Sequence, residues 1–175
     1  NAENGEITPA DYTKQDGETT VYVRLRPYGS VIVAFSDDCG KPRAEVYEKI
    51  IADVTENWIV KESGKEVERA NFFAAGKQNF SGEVTFTKKI KIEKPGGKVM
   101  LGLENVQSYA SVKVNGGFAG AKLWSPYEFD VTANLKNGEN TIEITVGSTE
   151  ENAMTGSNNN YGIFGRIMLS EVKNG

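Results

Sequence analysis

Aromatic side chains set beside short polar ones are the residues of this sequence whose types and spacing could do chemistry. Trp124-Ser125-Pro126-Tyr127 stands between Lys122 and Glu128, and Tyr109 follows Gln107-Ser108 at the start of an apolar-alternating run. A sugar presents apolar C–H faces that stack on aromatic rings, while its hydroxyls pair with Asn, Asp, Glu or Arg. A cleft for it therefore needs an exposed aromatic beside polar groups. Trp124, Tyr127 and Tyr109 meet that demand. Ser157-Asn158-Asn159-Asn160-Tyr161 offers a second set, in which Asn158, Asn159 and Tyr161 either meet hydroxyls or form a solvated connection and no more. The opposing reading of the aromatics is packing, since large aromatics are more often anchors than ligand platforms. Trp124 would then plug the end of the fold and Tyr127 would pack on a neighbouring domain. Trp58 reads as core.

Other chemistries find little support. The chain has no histidine and one cysteine, Cys39, which removes Ser-His-Asp and Cys-His mechanisms, an internal disulfide and a zinc site. Glycoside hydrolysis needs two carboxyl groups about 5 to 10 Å apart across a cleft. Among 24 acidic residues some pair meets that distance by chance. Glu128 and Asp130 point the same way from one strand, about 7 Å apart by strand rise, but a shared face is not a cleft. Most acids alternate with apolar residues and so lie on solvated faces. A net charge of −4 without a basic stripe argues against nucleic acid. The lysines between Lys88 and Lys94 alternate with Ile90 and Ile92, as one wet face of a strand. No apolar run of about 18 residues exists, so no transmembrane helix is expected. The chain starts at Asn1-Ala2 without methionine and shows no signal peptide, and an excised fragment of something larger is expected.

The elements that must position these residues read as strands. At 175 residues the chain suits one domain, or one domain plus part of a neighbour. Hydrophobic content of 38% is low, but eight Phe, seven Tyr and two Trp supply a core, and 19 Gly against 5 Pro suits an all-β chain with many turns. Residues 1–17 read as a linker or frayed arm. Val21, Val23 and Leu25 alternate with polar residues as a first strand, and 30–35 reads as a second, more buried one. Asp37-Asp38-Cys39-Gly40-Lys41-Pro42 breaks the pattern and is the best internal boundary. Residues 44–51 have helical spacing at Val46, Tyr47, Ile50 and Ile51 but also suit an edge strand. Further strands are expected at 54–61, at 83–92 with Val84, Phe86, Ile90 and Ile92 on one face, at 99–103, 110–114 and 141–146, and from Ile163 to Val172. Asn115-Gly116 and Asn137-Gly138 are turn signals. Asp130 and Thr132 are placed to cap a one-turn helix at 133–135, and Asn140 to bond the loop backbone before its strand.

The order of these pieces resembles a known family. Asn79-Phe80-Ser81-Gly82-Glu83-Val84-Thr85-Phe86 is similar to its opening strand. Leu101-Gly102-Leu103-Glu104-Asn105-Val106, followed by Ala110-Ser111-Val112-Lys113-Val114-Asn115-Gly116, is similar to its central hairpin. Pro126-Tyr127-Glu128-Phe129-Asp130-Val131-Thr132 with Leu135, Gly138, Glu139 and Asn140 is the strongest piece, and Tyr161-Gly162-Ile163-Phe164-Gly165-Arg166-Ile167-Met168-Leu169 resembles the closing strand. Together, over about Trp58 to Leu169, they resemble the sugar-binding jelly roll of family 2 glycoside hydrolases. They resemble even more closely the related sandwich near the C-terminus of the rhamnosidase-type, family 106, enzymes. Glu150-Glu151-Asn152-Ala153-Met154-Thr155-Gly156 stands where the family often carries an aromatic-rich or Arg-containing segment.

The resemblance implies an all-β fold, a galactose-binding-like β-sandwich of jelly-roll type at 41–175. It implies that 1–40, a linker and strand hairpin, comes from an adjoining domain. It also implies a non-catalytic carbohydrate-binding or carbohydrate-associated module of a larger glycoside hydrolase, secreted or on the cell surface and bacterial. Its partners would be carbohydrate and the catalytic domain of the same parent chain, with Trp124, Tyr127, Tyr109, Asn158, Asn159 and Tyr161 as the sugar-binding set. The alternative is a purely structural domain that braces the catalytic domain and binds no sugar. No cofactor is implied, although such sandwiches often hold a structural calcium. Asp37, Asp38 and Glu104 could offer oxygens, but no spaced acidic motif is present and no metal is assigned.

Overall fold

Alternation of apolar and polar side chains over 83–92 and 138–147 gives two ten-residue strands. The computed structural model describes residues 7, 9–23, 25, 30–36, 46–62, 65–67, 81–148, 150–155 and 162–174. In chain order the first elements are β1 (Asp11–Gln15), β2 (Glu18–Tyr22), β3 (Val46–Asp53), β4 (Ile59–Glu62), β5 (Lys65–Val67) and β6 (Glu83–Ile92). Then come β7 (Lys98–Leu103), β8 (Val106–Gln107), β9 (Tyr109–Val114), β10 (Gly117–Lys122) and β11 (Tyr127–Asp130). The last are β12 (Gly138–Gly147), the short helix α1 (Glu150–Thr155), β13 (Gly162–Ile163) and β14 (Ile167–Asn174). Two compact units result, Asn1–Tyr47 with Lys173–Gly175, and Glu48–Val172.

The larger unit is a two-layered β-sandwich. One sheet runs β10-β9-β12-β6-β4-β5 and the other β11-β7-β14-β3, while β8 and β13 form a small pair of their own. Period two decides which side chains go inside. Strand β6 buries Val84, Phe86 and Ile90, and β12 lays Val146 and Ile144 against the first two in antiparallel register. From the facing sheet come Val99, Leu101 and Leu103 of β7, with Ile167 and Leu169 of β14. Full burial of a large aliphatic or phenylalanine side chain contributes about 1.5–3 kcal/mol. An exposed ion pair such as Lys89–Glu139, at 3.3 Å, contributes about 0–1 kcal/mol. The apolar layer, not the surface pairs, holds the sheets together.

Turn chemistry sets the registers. Asn115 and Gly116 both take positive φ, 52° and 79°, as the two-residue turn between β9 and β10 requires. The Asn115 side chain then does more than tolerate that angle. Its Nδ2 donates to Asn134 O and to Asn140 Oδ1, both at 2.8 Å, and its Oδ1 accepts from Thr141 N at 3.0 Å. Asn140, fully buried, donates to Lys136 O and Gly138 O and accepts from Lys136 N. Residues 131–135 form a single turn, with Asn134 N and Leu135 N both donating to Val131 O. Asp130 Oδ1 caps it by accepting from Thr132 N at 3.0 Å. Thr132 does not cap it: its Oγ1 accepts from Val99 N at 2.8 Å and docks the turn on β7.

Several expectations are corrected. Residues 1–17 are not irregular throughout, because β1 lies among them and closes on β2 through Asp16-Gly17, again at positive φ. The first strand ends at Tyr22 and does not run on to Leu25. Residues 30–35 belong to no strand, and Ile32 and Phe35 are each 76% exposed instead of buried. Residues 46–53 are strand, not helix, at one edge of the four-stranded sheet. The final strand is interrupted at 164–166, where Glu104 N donates to Arg166 O and Phe164 N to Asn105 O. Trp58 is core as expected, precedes β4, and donates its Nε1 to Val54 O at 2.7 Å. The start of the opening motif, Asn79-Phe80, lies outside the described residues.

Candidate carbohydrate-facing rim

Strand β10 is an edge of the six-stranded sheet and β11 an edge of the four-stranded one, so residues 123–126 carry the chain from one layer to the other. The register Lys122↔Ala110 sets the start of this crossing at the same end of the sandwich as Ser108-Tyr109. Tyr127↔Leu103 sets its finish there too. Topology thus gathers Trp124, Tyr127 and Tyr109 on one rim. Asn158, Asn159 and Tyr161 lie outside the described residues, while the next residue, Gly162, pairs with Gln107 at that same end.

The three aromatics meet different fates. Trp124 is 62% exposed and its neighbour Leu123 69%, so the indole offers a face to solvent next to a second apolar group. Tyr127 is 7% exposed and offers no face to a ligand. Its hydroxyl donates to Ser108 O at 2.5 Å, and burial raises its pKa. The packing alternative is therefore inverted: Tyr127 plugs the end of the sandwich and Trp124 stands out from it. Trp124 lies in the crossing, outside any strand, where no strand alternation applies, whereas Tyr127 opens β11.

Tyr109 is half-buried and braces the sheet. It sits opposite Gly147, which in turn sits opposite Glu83, and the Tyr109 hydroxyl reaches across to donate to Glu83 Oε1. Burial, then the Glu83 carboxylate, push the phenol up to about 12. A Cβ on Gly147 would lie 2.0 Å from Tyr109 Cε1 and 2.8 Å from its hydroxyl oxygen, so glycine is what lets the ring lie over β12. Gly147→Ala should expel the ring and cost about 1–3 kcal/mol. Tyr109→Ala added to it should cost far less than the two changes made separately. Additive losses in urea titrations would dismiss this packing. Sequence reading found Tyr109 but missed Glu83 and Gly147 as its partners, because only long-range register brings them together.

The Glu104 and Asp130 carboxylates are already committed. Asp130 accepts from Thr132 and lies 3.3 Å from Lys98 Nζ. Glu104 accepts from Arg166 Nη2 at 3.2 Å, Nε at 3.4 Å and the Arg166 backbone N at 3.2 Å. Asp37 and Asp38 lie outside the described residues, and among the described residues no three His, Cys, Asp or Glu side chains cluster as metal ligands. The Arg166 side-chain bond, helped by its backbone N–H, holds the Glu104 carboxyl below the usual glutamate range. A carboxylate whose folded pKa is depressed stabilises the fold above its unfolded pKa, and loses that contribution as pH falls through the folded value. Glu104→Gln should therefore flatten the acid limb of stability slightly while changing neutral stability by about 1 kcal/mol or less, as for an exposed pair. An unchanged acid limb in thermal melts from pH 7 to pH 3 would remove this pair from the account.

Comparison with known proteins places this geometry. Residues 36–168 match the family described as glycosyl hydrolase 2 galactose-binding domain-like. The structure of a rhamnosidase from Novosphingobium sp. PP1Y superposes with a TM-score of 0.69 at 22% identity, covering 93% of this chain and 19% of that one. A beta-D-glucuronidase from Dictyoglomus thermophilum gives 0.54 at 16%, covering 75% and 28%. A glycosyl hydrolase family 2 member from Bacteroides cellulosilyticus DSM 14838 gives 0.52 at 16%, covering 73% and 21%. These likenesses are of fold, and the chain spans only 19–28% of those proteins' length. No curated protein matches. No helix among the described residues is long and apolar enough to cross a membrane.

Proposed function

Because the chain belongs to the glycosyl hydrolase 2 galactose-binding domain-like family, we propose that it is a non-catalytic, carbohydrate-binding module of a larger bacterial glycoside hydrolase, secreted or held at the cell surface. It would meet glycan at the rim that carries Trp124. The observation behind this reading is the exposure of Trp124 at a crossing between the two sheets. An indole standing free of the core is suited to the C–H face of a pyranose. The half-buried Tyr109 lies at the same end, and Asn158, Asn159 and Tyr161 are the residues proposed to supply hydroxyl partners there. Tyr127 acts from below, by holding the crossing against Ser108 O. An open rim with one free ring supports weak binding, with a Kd of about 1 mM, or about −4 kcal/mol. Catalysis is assigned to another domain of the parent chain, since Glu104 and Asp130 are engaged in structural pairs.

A brace that binds no sugar is the second reading, and one observation favours it. Phe118 on the outer edge strand is 64% exposed, in addition to Leu123 and Trp124, and exposed apolar groups of this kind suit a contact with a catalytic domain. Calorimetric titration of the chain with a panel of oligosaccharides separates the two. Saturable heat with at least one glycan is expected of a binding module. Flat titrations up to a few millimolar, with the chain folded, leave the brace.

A further inference from the structure

We propose that Asn137-Gly138 is a self-modification site, at which the Gly138 backbone nitrogen closes on the Asn137 side-chain amide and converts the asparagine to aspartate and isoaspartate.

The chemistry needs no enzyme. A bond forms between Gly138 N and Asn137 Cγ while the Cγ–Nδ2 bond breaks, and Nδ2 leaves as ammonia with the proton of the Gly138 amide. Water then opens the cyclic imide at either carbonyl. Opening at one returns an ordinary main chain with aspartate. Opening at the other routes the main chain through the former side chain and adds a methylene to it. Glycine at the following position favours the closure, because no Cβ stands in the way and its backbone turns freely. Asn57, Asn105, Asn134 and Asn140 are followed by Trp58, Val106, Leu135 and Thr141, whose side chains obstruct it.

Asn-Gly occurs four times, at 4–5, 115–116, 137–138 and 174–175, and the middle two pairs lie wholly within the described residues. The structure treats those two oppositely. Asn115 is held at both amide atoms, its Nδ2 by Asn134 O and Asn140 Oδ1 and its Oδ1 by Thr141 N. To present its Cγ to Gly116 N it must give up all three bonds. Asn137 is exposed, and its Oδ1 accepts from Lys94 N at 2.7 Å. Its Nδ2, the leaving group, has no partner among the described residues. Gly138 stands opposite Ile92 at the last pair of the β6–β12 ladder, where a ladder opens most readily.

The product matters because of where it lies. Asn140 clasps this turn by bonding Lys136 N, Lys136 O and Gly138 O. A methylene added between residues 137 and 138 lengthens the loop that Asn140 has to close. Aspartate instead keeps the spacing and an oxygen for Lys94 N. The turn lies at the opposite end of β12 from Gly147 and Tyr109, so the proposal is independent of any sugar at Trp124.

Peptide mapping by mass spectrometry, through an incubation of the folded chain at mildly alkaline pH, tests it. The chain unfolded in guanidinium gives the intrinsic rate at each pair. After division by those rates, Asn137 should convert about 30-fold faster than Asn115, the factor that two fewer hydrogen bonds give. The isoaspartate fraction, separated by chromatography, should unfold about 5 °C below the fresh chain. Asn137→Asp should stay within about 2 °C of it. Equal corrected rates, or faster conversion at Asn115, overturn the proposal. So does an Asn137 that survives in the folded chain while it is lost in guanidinium, which would show Gly138 N held in the ladder. An isoaspartate fraction as stable as Asn137→Asp overturns the coupling to the Asn140 clasp.

Discussion

Trp124→Ala should abolish measurable glycan binding and leave the unfolding midpoint of the chain within about 2 °C of the starting protein. The two readouts separate because the indole is 62% exposed, and exposed substitutions away from caps and buried networks shift stability by about 0.5 kcal/mol or less. Losing one aromatic stack, at about 1.5 kcal/mol, weakens binding about tenfold. From a millimolar start that places the variant beyond titration. Tyr127→Phe supplies the contrast. It removes the bond to Ser108 O and should cost about 1 kcal/mol of stability, while weakening binding only through loosening of the crossing. Undiminished binding in Trp124→Ala would discard the indole as the platform, and binding lost equally in Tyr127→Phe would show that the placement of the crossing, not the indole face, governs it.

Asn140→Ala should cost about 3 kcal/mol, as expected when several part-buried backbone groups lose a side-chain partner at once. Asn140 is fully buried and is bonded in both directions, to Lys136 N and O, to Gly138 O and to Asn115 Nδ2. It thereby fixes the turn that starts β12, the strand between β6 and β9 on which the six-stranded sheet depends. At about 2–4 °C per kcal/mol for a domain of this size, the midpoint should fall by about 10 °C. Asn140→Asp keeps the shape but turns the amide nitrogen into an oxygen facing two carbonyls, and at neutral pH it should be at least as damaging as alanine. Asn115→Ala combined with Asn140→Ala should cost less than the separate losses added, because the two side chains share one network. A loss below about 1 kcal/mol in Asn140→Ala would show that water replaces the side chain and that the turn is held otherwise.

Much of the sandwich is legible along the chain. The alternation through Val84, Phe86 and Ile90 predicts which face of β6 is buried, and Asn115-Gly116 predicts its hairpin, since strand period and turn angle are properties of neighbouring residues. Asp16-Gly17 makes a turn of the same kind in a polar stretch whose strands have little to bury, so no apolar alternation flanks it to mark a hairpin. Residues 44–51 could not be settled locally, because four apolar positions at helical spacing also suit an edge strand, and pairing with β14 decided for the strand.

The sequence by itself determined the β class, the main strands and their inward faces, and the short list of aromatics able to touch a sugar. Tertiary structure alone decided that Trp124 stands out while Tyr127 is swallowed three residues later, that Tyr109 lies over Gly147 to reach Glu83, and that the apolar run at 31–35 has no sheet around it among the described residues. The physical reason is common to all three. Which way a side chain points along a strand follows from the backbone's two-residue period, but what it meets there depends on partners dozens of residues away, brought alongside only when the ladders choose their register.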